Sequence, residues 1–324
     1  MSRVRLAFLL LGLAFLFLAL ERVGLDPFVQ AAVRIGAGFA LILCMNILWY
    51  FTDAVALSIV VRGHSNGPAA TIGRVLLAQV CGEAMNNATP FMNLGGEPLK
   101  GVLIGAYTGG TAAAAALIAD NVIKYLATAT FVALGFGMSL FLLDLPFGVQ
   151  APMAAGLGAL IAVVGTFAFF LPRGPLERLV RLGRRLRLPI RDTLGSAAVA
   201  TDLAMARFYH EHRGSFVAAF GWHFLSRLLA TADAWLVLWF LGVDASAFAA
   251  LWILSMSILV NLVFSFIPLA IGASEGAHFF VFSALGLAPE TGVVFAMIGR
   301  IRGIVWIAIG LIALAMQRTR GGDA

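Results

Sequence analysis

Two stretches that interrupt apolar segments decide the fold of this chain: TPFMNLGGEPLK at residues 89–100 and IPLAIGASEGAH at residues 267–278. Each contains a proline, which removes a backbone donor and clashes with the preceding helical turn, and glycine, which permits a sharp reversal of the chain. We call them the first and the second elbow. Their structural residues are predicted to be Pro90, Gly95 and Gly96 in the first elbow and Pro268, Gly272 and Ser274 in the second, with Ser274 as the N-cap of the helix that follows.

The segments around the elbows have the composition of membrane-spanning helices. Hydrophobic residues make up 61% of the 324 residues and charged residues only 12%, whereas a soluble domain carries roughly 25% charged residues. Apolar runs of roughly 20 residues, which cross a hydrocarbon core of about 30 Å, favour helices over a barrel of short alternating strands. We therefore predict an all-α polytopic membrane protein, a single membrane domain over 1–324, with about six full spans at 6–20, 31–61, 111–141, 148–171, 216–241 and 292–317.

Basic residues set the predicted orientation. Nine arginines fall between Arg173 and Arg213, and short loops rich in Lys and Arg stay in the cytoplasm. This predicts a cytoplasmic loop at 173–213, cytoplasmic termini and a location in a bacterial-type inner membrane; contact of the loop with anionic headgroups is the alternative role. The apolar stretches 68–108 and 247–287 must then each enter and leave on one side, as two re-entrant helical hairpins of opposite orientation.

The two elbows align without a gap. In both, the proline precedes a glutamate by seven positions, and a basic or titratable residue follows three positions later. The corresponding pairs are Glu97 and Glu275, Lys100 and His278, Lys124 and Arg302 (178 residues apart), and Asp53 and Asp233 (180 residues apart). An internal repeat with opposite membrane orientation is typical of transporters, whose substrate binds where the broken helices meet. The alignment predicts an inverted repeat with halves at 31–141 and 216–317.

Ionisable residues inside the apolar segments are the candidate site. A charge at the bilayer centre costs at least about 2.5–3.5 kcal/mol on insertion scales, so it faces a cavity or a partner. The helix N-terminus after each elbow offers free N–H groups to an anion. Cations also outnumber the nearby acids, and guanidinium groups suit phosphate. The predicted substrate-binding residues are Glu97, Lys100, Lys124, Glu275, Arg300 and Arg302.

The two glutamates have a second interpretation, which the sequence leaves open. Glu97 with Lys124, and Glu275 with Arg302, are candidate structural ion pairs that hold each hairpin against the next span. Removing one partner of a buried pair leaves an uncompensated charge that costs about 3–5 kcal/mol. Mutation of a glutamate would therefore impair the protein under either interpretation.

The remaining polar residues receive simpler interpretations. Asn86 and Asn87 are expected to satisfy carbonyl groups freed at the first elbow, and Arg227 is expected to snorkel toward the interface. His210 and His212 lack a third ligand, and no H-E-x-x-H, P-loop, nucleophile-elbow or dinucleotide motif occurs. We therefore predict no metal, cofactor or ATP site and no catalytic residue.

At the elbows the sequence resembles the flippase-like membrane family that includes the transmembrane part of lysylphosphatidylglycerol synthases. The N…P…GGE-x-x-(K/R) motif of that family is matched by Asn86, Pro90 and the run from Gly95 to Lys100, and its P-x-x-x-G-x-x-E motif by Pro268, Gly272 and Glu275. The resemblance implies a domain that moves lipids across the inner membrane, without the soluble aminoacyl-transferase domain of the synthases. Some stand-alone relatives are associated with hopanoid or polyprenyl-glycolipid pathways.

The function predicted from these features is lipid transport rather than catalysis. We expect a flippase-like transporter of an amphipathic lipid with an anionic or phosphate-bearing headgroup, driven by a gradient or by ions, with Glu97 and Glu275 as candidate proton carriers. The alternatives are a membrane-embedded enzyme that modifies a lipid headgroup, with a glutamate as general base, and a small-solute or ion transporter of similar architecture. The expected partner is a membrane lipid and not nucleic acid, and the sequence permits a homo-oligomer.

Overall fold

The computed structural model of the 324-residue chain describes residues 26–64, 70–88, 95–143, 145–170, 175–185, 199, 202–203, 206, 208–264 and 272–321. All regular secondary structure in these residues is helical, which confirms the predicted all-α class. The predicted span at 6–20, the two elbow prolines Pro90 and Pro268, and about half of the predicted loop at 173–213 lie outside the described residues.

Eleven helices are bounded within the described residues. They are α1 (Asp26–Ile35), α2 (Gly38–His64), α3 (Ile72–Ala88), α4 (Gly96–Thr108), α5 (Gly110–Leu142), α6 (Phe147–Phe170), α7 (Pro175–Arg185), α8 (Arg213–Phe240), α9 (Ala247–Val263), α10 (Ala273–Ala284) and α11 (Pro289–Gly321).

Four of these helices are long and apolar enough to cross a membrane: α2, α5, α6 over Phe147–Thr166, and α11 over Pro289–Met316. They correspond to the predicted spans at 31–61, 111–141, 148–171 and 292–317, so the prediction of a polytopic helical membrane protein is confirmed. Helix α8 covers the predicted span at 216–241 with 28 residues. It buries the charged residue Asp233 in its interior, where only a paired charge is tolerated.

The start of the second predicted span is wrong by several residues. The prediction began it at residue 31, whereas α2 begins at Gly38. Gly36 has a φ of +42°, a conformation that residues with a side chain rarely adopt, and it separates α2 from the short helix α1. Helix α1 packs against α8 and α11 instead of extending α2.

Each elbow joins two short helices. Helix α3 has 17 residues and α4 has 13, while α9 has 17 and α10 has 12. At the first elbow, a Cβ atom on Gly96 would lie 2.0 Å from the carbonyl oxygen of Gly82, so the approach of α4 to α3 requires glycine there. At the second elbow, Gly272 is the N-cap of α10 with a φ of +78°. The predicted N-cap role of Ser274 is therefore wrong, because Ser274 lies in the first turn of α10.

The long helices pack around a centre formed by α2 and α8. Helix α5 packs against both of them, α3 packs against α4 and α11, and α9 packs against α5, α8 and α10. Large apolar side chains such as Phe141 (89% exposed) and Trp239 (68% exposed) point outward, a surface suited to lipid rather than water. Helix lengths recur along the chain, since α2 to α5 have 27, 17, 13 and 33 residues and α8 to α11 have 28, 17, 12 and 33.

Candidate functional site

A cavity of about 360 Å³ lies among α2, α3, α8, α9, α10 and α11. Its wall includes the end of α3, just before the first elbow, and the residues on either side of the second elbow. Small-molecule sites in proteins commonly occupy roughly 300–1,000 Å³, so the cavity is large enough for a lipid headgroup. Its polar and charged lining consists of Asn46, Asn86, Asn87, Arg227, Asp233, Ser257, Asn261, Ser274, His278, Arg300 and Arg302.

Among the residues with a described position, three arginines line this cavity, and each also contacts a carboxylate. Arg300 Nη1 lies 2.6 Å from Glu275 Oε1, and Arg227 Nη2 lies 3.6 Å from Asp53 Oδ2. Arg302 forms an ion pair with Asp233. Asp233 is the one carboxylate that lines the cavity itself among the described residues, so the side chains that border the cavity carry a net positive charge.

Unpaired N–H donors are the second feature of this cavity. In the part of the chain that the structure describes, four buried side-chain nitrogens have no hydrogen-bond partner, and all four belong to residues that line the cavity: Trp49 Nε1, Arg227 Nε, Arg300 Nε and Trp306 Nε1. Asp233 Oδ1 and Glu275 Oε1 also lack a hydrogen bond, but an arginine lies against each of these carboxylates. A buried unpaired donor costs about 1–3 kcal/mol, so an acceptor atom that came within reach of one of these nitrogens would be stabilising.

The second elbow is held by Glu275, whose side chain is fully buried. Its Oε2 accepts hydrogen bonds from the Gly272 backbone N–H at 2.9 Å and from Arg300 Nη2 at 2.8 Å. One turn further on, His278 Nε2 and the hydroxyl of Ser257 on α9 share a hydrogen bond of 2.7 Å. Glu275 thus caps α10 and ties it to α11, which is the bracing role that the sequence left open.

The first elbow is held by a similar set of contacts. The Gly96 backbone N–H donates to Asn86 Oδ1 at 2.7 Å, so Asn86 satisfies a freed N–H group and not the carbonyl group that we expected. Lys100, with a side chain only 3% exposed, lies 2.9 Å from Glu97 Oε1 and 3.1 Å from Glu83 Oε1. Asn121 on α5 donates to Glu97 Oε2 at 2.8 Å.

A third group of charges, which we call the central cluster, lies where α2, α5 and α8 meet. It consists of Asp53, Asp120, Lys124, His223 and Arg227. His223 Nδ1 lies 2.9 Å from Asp53 Oδ1, and His223 Nε2 lies 3.1 Å from Asp120 Oδ1. Lys124 Nζ lies 3.6 Å from Asp53 Oδ2 and 3.3 Å from Glu83 Oε1. Salt bridges therefore run from Lys100 through Glu83, Lys124 and Asp53 to Arg227 at the cavity wall.

The predicted site residues divide between these regions. Arg300 and Arg302 line the cavity, whereas Lys100 and Lys124 lie in the salt-bridge chain beside the first elbow. The two ion pairs considered from the sequence are wrong in their partners. Glu97 pairs with Lys100 rather than Lys124, and Glu275 pairs with Arg300 rather than Arg302.

Two further expectations from the sequence are corrected. The excess of cations over nearby acids disappears for the lysines, because Glu83 contacts both Lys100 and Lys124. Arg227 does not snorkel to an interface: its side chain is 13% exposed and lies against Asp53. A sequence signal for Glu83 existed, since Gln79, Glu83 and Asn86 recur at helical spacing on one face of α3.

The described residues contain no group of three or more His, Cys, Asp and Glu side chains placed to hold a metal ion. A family model described as "Lysylphosphatidylglycerol synthase TM region" matches residues 4–312 of the chain. No curated protein and no solved structure matches the chain. The family match extends over nearly the whole length and includes both elbows, the cavity and the central cluster.

Proposed function

The chain belongs to the family of the lysylphosphatidylglycerol synthase TM region, membrane proteins associated with lipid handling, and we propose that it carries an amphipathic lipid across the bacterial inner membrane. The lipid has an anionic, phosphate-bearing headgroup, which binds in the cavity between the elbows. The termini and the 173–213 loop face the cytoplasm in this proposal, as the basic residues of the sequence predict.

The observation that carries the proposal is the set of unpaired N–H donors in an arginine-lined cavity. Trp49, Arg227, Arg300 and Trp306 each contribute a buried nitrogen without a hydrogen-bond partner. A phosphate group supplies several strong acceptor oxygens, and its hydrogen bonds to guanidinium groups are charge-assisted and often bidentate. A phosphate would also compete with Asp53, Glu275 and Asp233 for these arginines, which a neutral headgroup cannot do as strongly. An anionic phosphate matches both the donors and the charge.

The acyl or prenyl chain of the lipid would leave the cavity beside the end of α9. Asn261 and Phe264 line the cavity, and between them Leu262 and Val263 are each 60% exposed on the outer surface. The polar lining therefore borders a lipid-facing surface at this point. A headgroup bound inside the protein with its chain in the bilayer suits this arrangement.

Two inverted halves and two re-entrant hairpins are part of the proposal. The helix lengths of α2 to α5 recur in α8 to α11, and an aspartate on the first helix pairs with a cation on the last helix in each half: Asp53 with Lys124, and Asp233 with Arg302. Helices α3 and α9, at 17 residues, reach roughly 26 Å, less than a hydrocarbon core of about 30 Å. Their pairing with still shorter partners supports hairpins that enter and leave on one side.

Unequal packing of the halves supports alternate opening of the site. Helix α5 packs along both α2 and α8, whereas α11 makes few contacts with either, and the cavity occupies the space between them. If α11 closed onto α2 and α8 while α5 moved away, the site would open on the side of the first elbow. Movement of one repeat against the other around a fixed site is the general mechanism of inverted-repeat transporters.

The test is lipid movement in reconstituted vesicles. Vesicles with a fluorescent anionic phospholipid are compared for the unmodified protein, for Arg302→Gln combined with Asp233→Asn, and for Arg74→Gln. The double variant removes one cavity arginine without leaving an unpaired charge, and Arg74 is an exposed control at the start of α3. Loss of one charge-assisted contact worth about 1.5–3 kcal/mol predicts lipid movement that is roughly 10- to 100-fold slower.

The outcomes separate the candidate functions. Lipid movement at the unmodified rate in the double variant would contradict the assignment of the cavity as the headgroup site. A new lipid product in the vesicles, detected by mass, would favour the membrane-embedded enzyme, because a transporter makes no new molecule.

A further inference from the structure

A buried histidine between two carboxylates is the feature of the central cluster that lipid binding does not explain. His223 is 1% exposed, and both its ring nitrogens face an acid: Asp53 on α2 at 2.9 Å and Asp120 on α5 at 3.1 Å. The two aspartates are themselves buried, at 2% and 6% exposed. We call these three side chains the triad.

The hydrogen bonds of the triad require an extra proton. Neutral imidazole has one N–H donor and one acceptor nitrogen, and an ionised carboxylate only accepts. Both contacts are satisfied only if His223 is protonated on both nitrogens, or if His223 is neutral and one aspartate is protonated. Loss of that proton would set a bare ring nitrogen against a carboxylate oxygen and force the triad to rearrange. The triad is thus a site with two proton occupancies and two geometries.

The surroundings of the triad connect it to the cavity. Arg227 and Lys124 both lie 3.6 Å from Asp53 Oδ2, and Arg227 lines the cavity. The other titratable or charged groups close to the triad contact partners outside it. Glu83 on α3 contacts Lys124 and Lys100, and Lys100 also contacts Glu97 on α4. Asp233 on α8 pairs with Arg302 at the cavity wall, and the ring of Tyr50 on α2 packs against Trp306. Asp53 is therefore the group through which the triad meets the cavity lining.

We propose that the Asp53–His223–Asp120 triad is a proton-binding site whose occupancy is linked to the occupancy of the cavity by the anionic headgroup. This rests on the proposed function, because the linked ligand is the headgroup bound to Arg227. An anion at Arg227 competes with Asp53 for that guanidinium and adds negative charge beside the triad. Headgroup binding therefore favours the protonated triad and takes up one proton, and release of the headgroup returns it.

The comparison of the two halves argues against a purely architectural role. In the register that relates Lys124 to Arg302, the counterpart of Asp120 is Ile298. In the register that relates Asp53 to Asp233, the counterpart of His223 is Leu43. The position related to Asp53 by the repeat thus has an aspartate–cation pair, Asp233 with Arg302, but neither a histidine nor a second carboxylate at the corresponding positions. The helix arrangement does not require the triad, and polar relays of Asp and His inside membranes commonly carry protons.

The consequence for binding follows from linkage. Because headgroup binding takes up a proton, a lower pH must strengthen binding by the same coupling. Couplings of this kind commonly change an affinity by roughly 5- to 150-fold. The suitable probe is a short-chain phosphatidylglycerol, since its phosphodiester keeps one negative charge between about pH 6 and pH 8, where imidazole groups titrate.

The experiment is calorimetric titration of dihexanoyl phosphatidylglycerol into the full-length protein in detergent, in two buffers of different ionisation enthalpy. For the unmodified protein we expect uptake of one proton or a large fraction of one, and an affinity roughly tenfold higher at about pH 6 than at about pH 8. His223→Gln and Asp120→Asn should bind the lipid without proton uptake and with an affinity that does not depend on pH. His64→Gln, at the end of α2, is the control and should behave like the unmodified protein.

Two failures can be told apart. If the unmodified protein binds no lipid at either pH, the headgroup site of the proposed function is wrong and the linkage falls with it. If the lipid binds, but proton uptake is absent from the unmodified protein or persists in both triad variants, the headgroup site stands and the triad proposal is overturned. Thermal unfolding of each variant establishes that the compared proteins are folded. Asp120→Asn is the more conservative variant, because asparagine keeps the shape of the aspartate side chain.

Discussion

Replacement of Glu275 by glutamine tests whether the second elbow is braced by an ion pair. Glu275 is fully buried, and Arg300, its partner on α11, is 11% exposed. Glutamine keeps the acceptor for the Gly272 N–H but removes the negative charge, so a guanidinium remains buried without compensation. Breaking a buried pair from one side costs about 3–5 kcal/mol. We expect the free energy of unfolding of Glu275→Gln to fall by that amount.

The assay is reversible unfolding in mixed detergent micelles, with two comparisons. The double variant Glu275→Gln/Arg300→Gln removes both charges, so its loss should be well below the sum of the single losses. Glu177→Gln breaks an exposed pair with Arg181 on α7, in which the side chains are 45% and 63% exposed, and should cost no more than about 1 kcal/mol. Equal losses for Glu275→Gln and Glu177→Gln would refute the bracing role and return Glu275 to the candidates for substrate contact.

Two further predictions concern packing and the unpaired donors. Gly96→Ala should lower the free energy of unfolding by roughly 1–3 kcal/mol, because the new Cβ would meet the Gly82 carbonyl oxygen at 2.0 Å. The control Gly73→Ala, with nothing within 4 Å of the new Cβ, should be neutral or slightly stabilising. Equal unfolding curves for the two variants would contradict the close approach of α3 and α4. Trp306→Phe removes an unpaired buried N–H group from a residue that lines the cavity. The free energy of unfolding should stay within about 1 kcal/mol of that of the unmodified protein, while phospholipid binding should weaken several-fold. Unchanged affinity in a lipid titration would exclude this nitrogen from the headgroup site.

The features visible in the sequence were those encoded locally. The Pro and Gly pattern of the elbows and the apolar length of α2, α5, α6 and α11 lie within single segments, and the helices agree with that length. The ion pair of Glu97 with Lys100 was missed, because the sequence suggested Lys124 as the partner of Glu97. The register that related Asp53 to Asp233 and Lys124 to Arg302 also identified residues that form equivalent ion pairs. Local composition therefore predicted the helices, and among the arginines that line the cavity it singled out Arg300 and Arg302 but not Arg227.

The partners of those charges were not accessible from the sequence. Lys124 lies 71 positions from Asp53 and 41 from Glu83, and Arg302 lies 69 from Asp233. Such contacts depend on which faces of packed helices meet, and helices with apolar residues on all sides give no periodic signal for those faces. Arg227 was misjudged for the same reason, because its position near the end of a span resembled an interfacial anchor until α2 and α5 were packed against α8.

The pairing of every cavity arginine with an acid bears on how a carrier would release its lipid. An unpaired guanidinium in a low-dielectric cavity would hold a phosphate strongly, since nothing would replace the phosphate when it left. Arg227, Arg300 and Arg302 instead have Asp53, Glu275 and Asp233 within reach as competitors. The net affinity for the phosphate then reflects the difference between the arginine–phosphate contact and the arginine–carboxylate contact that it replaces, so it remains modest. A transport site must bind its ligand favourably enough for entry and weakly enough for release. The paired acids are therefore compatible with the proposed transport, because they would replace the headgroup at the arginines when it left.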